Sequence, residues 1–128
     1  MDFSFGKRYK LCSQTLIDDV YTSGTHVKHY PFVVKYKTVQ LKENTPFQMV
    51  ISAPKRSFKF AVQRNRIKRL AKEAVRLNKH VLEEHLVEQN QQIALFLIFT
   101  AREEIDLKTL NRKTEKLFQT IVHQLKIL

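Results

Sequence analysis

Between Lys55 and Lys79 the chain carries ten Lys and Arg residues (Lys55, Arg56, Lys59, Arg64, Arg66, Lys68, Arg69, Lys72, Arg76, Lys79) against a single acid, Glu73, so this segment supplies +9 of a formal net charge of +11. A run of one sign suits one kind of chemistry, the neutralisation of phosphates on a polyanion. A solvated lysine-rich face is the ordinary alternative, but such faces usually mix signs and this one does not. Little else could react. His80 and His85 do not share a helix face well, His26 and His29 flank a strand-like segment, and His123 falls on the polar side of the last helix. None has metal-ligand spacing beside a Cys or a second cluster, so surface or hydrogen-bonded histidines are expected. The adjacent acids Asp18-Asp19, Glu83-Glu84 and Glu103-Glu104 point apart on a helix and make poor two-metal or acid/base sites. There is no phosphate-cradling glycine loop, no GxSxG and no Cys/His nucleophile arrangement. The polypeptide alone is not expected to be an enzyme.

The element that must present this charge is a helix over Phe60 to Lys79. At about 100° per residue, Ile67, Leu70, Ala71, Ala74, Val75 and Leu77 fall in one apolar arc. Lys68, Lys72, Asn65, Arg76 and Arg69 occupy the opposite arc. Such a helix is electrostatically awkward in isolation. Lys68/Lys72 and Lys72/Arg76 are like-charge pairs at i,i+4, and Arg64 and Arg66 sit at the positive end of the macrodipole. A polyanion would turn that repulsion into binding energy.

The rest of the chain reads as support. Ser13 can cap a short helix through Tyr21, with Leu16, Ile17, Val20 and Tyr21 as its apolar stripe and Gly24 beyond its end. Thr25 to His29 is extended. In Phe32 to Val39 alternation separates Phe32, Val34, Tyr36 and Thr38 from the wetter Val33, Lys35, Lys37 and Val39. The breakers Asn44 and Pro46 return the chain to a strand over Phe47 to Ala53, and the spacing predicts that these two strands pair as a hairpin. Val81 to Glu88 continues a helical pattern, as an extension or a separate turn. Ile93 to Ala101 reads as a strand buried on both faces. A last helix starts near Asp106 and carries Leu107, Leu110, Leu117, Phe118, Ile121 and Leu125. The class is α+β, in the order αβββαβα, a sandwich of helices on a small mixed sheet.

The run Ala61 to Leu70, AVQRNRIKRL, resembles the RNR signature of the protein subunit of bacterial ribonuclease P. Fainter similarity extends from Lys10-Leu11, through Val20-Tyr21 and Gly24, to the strand after the helix. The glycine this family usually carries before the helix is absent, and Ser52 to Phe60 is longer and more basic. The resemblance implies the αβββαβα order with a left-handed βαβ crossover through the basic helix, although such crossovers are generally right-handed. It also implies a ribonucleoprotein in which RNA, with Mg2+, hydrolyses the phosphodiester while the protein holds substrate and neutralises charge. Arg64, Asn65, Arg66, Lys68, Arg69, Lys72 and Arg76 would then dock on the catalytic RNA. A cleft between the first helix and the sheet would hold the 5′ leader of precursor tRNA, the matching positions being Ile17, Tyr21, Val33 and Lys35. Ile17 and Lys35 stand where aromatic residues are common in the family, which favours phosphate contact through Lys35 over stacking. Read as residues alone, Tyr21 and Ile17 fit a core equally well, and Asn65 fits a helix-start hydrogen bond.

The length of 128 residues, 43% apolar with nine Phe, suits one RNA-binding domain spanning 1–128, the first few residues being disordered. The lone Cys12 excludes an internal disulfide, suits a reducing compartment and reads as a small packing residue. The opening MDFSFGKRYK lacks a signal-peptide core, and Ile93 to Phe99 is too short to span a bilayer. A cytoplasmic protein is expected, with the catalytic RNA and precursor tRNA as partners and no membrane or protein partner. A DNA-binding regulator using Ala61 to Asn78 as recognition helix is a second reading, against which a strand rather than a partner helix precedes that segment. A ribosomal or RNA-chaperone protein is a third.

Overall fold

The computed structural model describes residues 6–127; the expected disorder of the first few residues lies outside them. A 3-10 turn, Lys7–Tyr9, precedes α1 (Gln14–Ser23), β1 (Thr25–His29), β2 (Phe32–Thr38), β3 (Phe47–Ser52), α2 (Ala61–Glu88), β4 (Ile93–Phe99) and α3 (Leu107–Ile127). The αβββαβα order is as expected, and Val81 to Glu88 is an extension of the basic helix.

One expectation is overturned. The strands of the single sheet lie in the order β1-β2-β4-β3, so β2 and β3 do not form a hairpin. β4 runs between them, antiparallel to β2 and parallel to β3. The physical reason is the sequence of β4, IALFLIF, which has apolar side chains for both faces and therefore takes the most enclosed position in the sheet. The 39–46 connection also lacks the short glycine-containing loop that ties two strands into register. The hairpin the chain does form is β1–β2, turned through Tyr30-Pro31, with Val27 opposite Val34. α2 is thus the crossover from β3 to its parallel neighbour β4.

The two faces of the sheet are covered differently. On one, Phe32, Val34 and Tyr36 of β2, Phe47 and Met49 of β3 and Ile93, Leu95, Leu97 and Phe99 of β4 are buried beneath α2 and α3. α2 adds Ile67, Ala71, Ala74, Val75, Leu82 and Leu86 to this core, and α3 adds Leu110, Leu117, Phe118, Ile121 and Leu125. On the other face, among the described residues, α1 is the one helix, and there Val20, Leu11 and Ala94 make a small second cluster flanked by Leu16, Ile17, Val39, Val50 and Phe96. The expectation that β4 is buried on both faces therefore holds only in part, since Phe96 and Ile98 remain half-buried on the α1 side.

Local chemistry holds α1 in place. Ser13 caps it by accepting from the Leu16 N–H, and Lys37 Nζ lies 2.8 Å from Asp19 Oδ2. At its end the backbone is wedged between the last turn of α1 and β2, so that a Cβ on Gly24 would lie 2.4 Å from the Val20 carbonyl oxygen and 3.0 Å from that of Tyr36. Only glycine avoids that clash. Two single-residue expectations are corrected. Cys12 is exposed and does not pack. His85, on the inner side of α2, is buried with Nε2 lacking a hydrogen-bond partner, so it is neither a surface nor a fully satisfied histidine.

Candidate nucleic-acid interface

α2 carries its charge on the side away from α3. Asn65, Arg66, Lys68, Arg69 and Lys72 are exposed, while Arg64 and Arg76 are half-buried. The apolar arc is as read, except that Leu70 and Leu77 are only partly covered and that Asn78 and Lys79 join the buried side. Asn78 Nδ2 donates to the Ala74 carbonyl at 2.9 Å and to the Asn111 side chain, tying α2 to α3. Lys79 therefore adds nothing to the outward charge.

The members of the basic face are not equivalent. Arg64 Nη1 donates to the carbonyls of Phe58 and Lys59 at 2.8 and 3.0 Å, folding the preceding loop back onto the helix start. No side chain caps this helix and its first turn has no acid, so Arg64 has a structural task there. Arg66 Nη1 meets Glu104 at 3.1 Å across an exposed gap. Arg76 Nε donates to Glu73 at 2.9 Å, with Nη2 meeting the other carboxylate oxygen. Donation from Arg76 holds the Glu73 carboxyl below the usual carboxylate range, and Glu73 raises the guanidinium in return. Lys68 and Arg69 have no carboxylate partner among the described residues. Phe60, 66% exposed immediately before the helix, is an aromatic neighbour that sequence reasoning did not single out.

The four cleft positions come together beneath α1. Tyr21 is 51% exposed, which decides against a core role for it. Its ring meets Phe96 edge-on at 5.5 Å, and Lys35 Nζ sits 3.8 Å from the ring centroid while donating to the Tyr21 carbonyl at 3.0 Å. The Lys35 ammonium thus organises Tyr21 as well as carrying charge. Ile17 is half-buried against the small cluster beneath α1. Val33, two residues before Lys35 on the same side of β2, is half-buried and lies opposite Ile98.

Register completes the surface. Across the α1 side of the sheet one row reads His26, Lys35, Phe96, Val50 and the next reads Lys28, Val33, Ile98, Ser52. Phe96 and Ile98 form the floor of the cleft, and sequence reasoning missed them by reading β4 as enclosed. The arrangement is a strip of apolar and aromatic surface with cations along one side, suited to single-stranded nucleic acid. Among the described residues no group of three or more His, Cys, Asp or Glu could hold a metal ion, and no helix is long and apolar enough to cross a membrane.

Comparison with known proteins gives the family and the fold. The family model described as Ribonuclease P matches residues 5–122. The ribonuclease P protein component of Porphyromonas gingivalis is 32% identical over 114 residues, covering 89% of this chain and 83% of that protein. Among solved structures, the RNase P protein of Staphylococcus aureus superposes with a TM-score of 0.67 at 23% identity, over 88% of this chain and 94% of that one. The RNase P protein of Thermotoga maritima gives 0.69 at 19% identity, over 87% and 96%. At those identities the two structures speak for the fold.

Proposed function

The chain belongs to the ribonuclease P protein family, and from that premise we propose that it binds the catalytic RNA through α2 and the 5′ leader of precursor tRNA through the cleft beneath α1. The protein is a component of an endoribonuclease that matures tRNA 5′ ends, with the RNA subunit carrying the chemistry. Residues 1–128 act as one RNA-binding domain in the cytoplasm.

The observation that carries this reading is the exposed side of α2, where Lys68, Arg69 and Lys72 stand together. Each cation that meets a phosphate releases condensed counterions, so affinity gained there is electrostatic and salt-dependent. Arg66 is the adaptable member, because exposed ion pairs contribute only about 0–1 kcal/mol and Glu104 is cheaply exchanged for a phosphate. In the cleft, the exposed face of Tyr21 receives a base while Lys35 keeps the ring in place and adds positive potential. Val33, Ile98 and Phe96 supply apolar contact. Magnesium acts through the RNA subunit, as in the family this chain belongs to, and the protein's part is to bind, orient and screen.

Reconstitution tests the reading. Alone with magnesium the protein leaves precursor tRNA intact, whereas added to a bacterial ribonuclease P RNA it stimulates cleavage at low magnesium. RNA-free cleavage abolished by a single carboxylate change such as Glu104→Gln would overturn it.

A further inference from the structure

A second feature involves residues that neither the family signature nor the helix pattern singles out. Tyr9 is buried, and its hydroxyl donates to Glu83 of α2. Lys79, 1% exposed, places Nζ 3.3 Å from the same hydroxyl and 3.8 Å from Glu83. A lysine is almost never so enclosed unless paired, and here one partner, Glu83, is a turn further along α2 while the other, Tyr9, lies seventy positions earlier in the chain. The Tyr9 ring also packs on Phe47 at 5.3 Å. Just beyond it, Lys10 bridges Met49 in parallel and the Leu11 N–H donates to the Met49 carbonyl at 3.0 Å. The 7–11 segment is thereby laid along β3, the edge strand of the sheet, and tied to α2.

The consequence is a groove. Lys7 and Lys10 on one side face Lys68, Arg69 and Lys72 of α2 on the other, around a concavity of ≈ 690 Å³ floored in part by Ile51, with no acid among the described residues that line it. We propose that Lys7 and Lys10 complete a second wall of the RNA-docking surface, so that the sugar–phosphate backbone of the catalytic RNA lies in this groove, not on the helix face alone. The inference rests on the reading of α2 as an RNA-docking helix, with which the groove shares three cations. Charge selects the occupant: five cations gathered in one groove of a chain of net charge +11 repel a second copy and attract a polyanion. The buried Tyr9–Lys79–Glu83 contacts act as positioning residues, holding the first wall at a set distance from the second.

The test is the salt dependence of affinity for a bacterial ribonuclease P RNA between 50 and 200 mM salt, roughly the range over which phosphate contacts are resolved. Lys7→Gln/Lys10→Gln is compared with Arg69→Gln. Both walls being in contact, the double variant lowers the slope by roughly 1.4 to 1.8 and Arg69→Gln by roughly 0.7 to 0.9, with unchanged circular dichroism. A lower slope for Arg69→Gln alone would overturn the groove and leave the helix reading standing. Unchanged slopes in both variants would overturn the helix reading itself. A concentration-dependent dimer of RNA-free protein that the double substitution dissociates would assign the groove to a second copy and also overturn the proposal. As a further measurement, Tyr9→Phe, which keeps the packed ring and removes only the hydroxyl, lowers the slope in the wild-type background but not in the Lys7→Gln/Lys10→Gln background. A loss of stability with the slope unchanged would mean that these buried contacts are structural only.

Discussion

Replacing Tyr21 by alanine tests the cleft most directly, because the structure bounds the effect from both sides. The ring is 51% exposed, with Phe96 at one edge and the Lys35 ammonium against it. One face is thus occupied, and a base can stack only on what remains. Base–aromatic stacking is worth about 1–3 kcal/mol per base. The one-sided geometry points to the lower part of that range, about 1–2 kcal/mol, or a five- to thirty-fold rise in the dissociation constant. Removing the ring also frees Lys35, whose exposed cation–π contact is worth about 0.5–1 kcal/mol, so Tyr21→Ala and Lys35→Ala should be non-additive. Tyr21→Phe keeps the stacking face and should bind like the wild type. The assay is affinity of the reconstituted ribonucleoprotein for precursor tRNA bearing a leader of one nucleotide or of several. The penalty should appear with the longer leader and largely vanish with the shorter, while assembly with the catalytic RNA is unaffected. Equal penalties on both substrates, or failure to assemble, would show that this face of α1 does not hold the leader.

On α2, Lys68→Ala and Arg69→Ala should each lower the salt slope of catalytic-RNA binding by roughly 0.7 to 0.9. Arg76→Ala, already engaged by Glu73, should lower it less, and circular dichroism should stay constant in all three. Glu104→Gln frees Arg66 and removes a carboxylate from the docking surface, so affinity at low salt should rise by up to about five-fold, the equivalent of an exposed pair worth at most about 1 kcal/mol; weaker binding, measured by filter retention, would show that Glu104 orients Arg66 productively. Asp106, at the start of α3, has its carboxyl held below the usual carboxylate range chiefly by Thr109. A depressed folded-state pKa contributes stability above the unfolded value, near 3.9, that is lost as pH falls through the folded one. Urea midpoints of Asp106→Asn should therefore fall less between pH 6 and pH 3 than those of the wild type. In the core, Phe118→Ala should cost about 3–5 kcal/mol, seen as a lower urea midpoint at unchanged m-value.

Much of this molecule is written locally. The 3.6-residue spacing of Ile67, Ala71, Ala74 and Val75 sets the inner side of α2, and the single-signed run around it declares a polyanion partner. Ser13 and Gly24 delimit α1, alternation in Phe32 to Thr38 assigns its two faces, and the AVQRNRIKRL run carries the family. These features lie within one element, where side-chain direction follows from position. Strand order does not. Whether β3 meets β2 or β4 depends on which strand has most apolar surface to hide, and IALFLIF takes the centre only when all four strands compete for it. That decision opens Phe96 and Ile98 beside α1 and so builds the cleft floor. The fates of individual cations are equally non-local. Arg64 turns back to the Phe58 and Lys59 carbonyls, Arg66 reaches Glu104, and Lys79 leaves the charged surface for Tyr9, seventy positions earlier in the chain. A count of charge along a helix fixes the sign of the partner. Which charges remain to meet it is settled by neighbours that only the folded chain supplies.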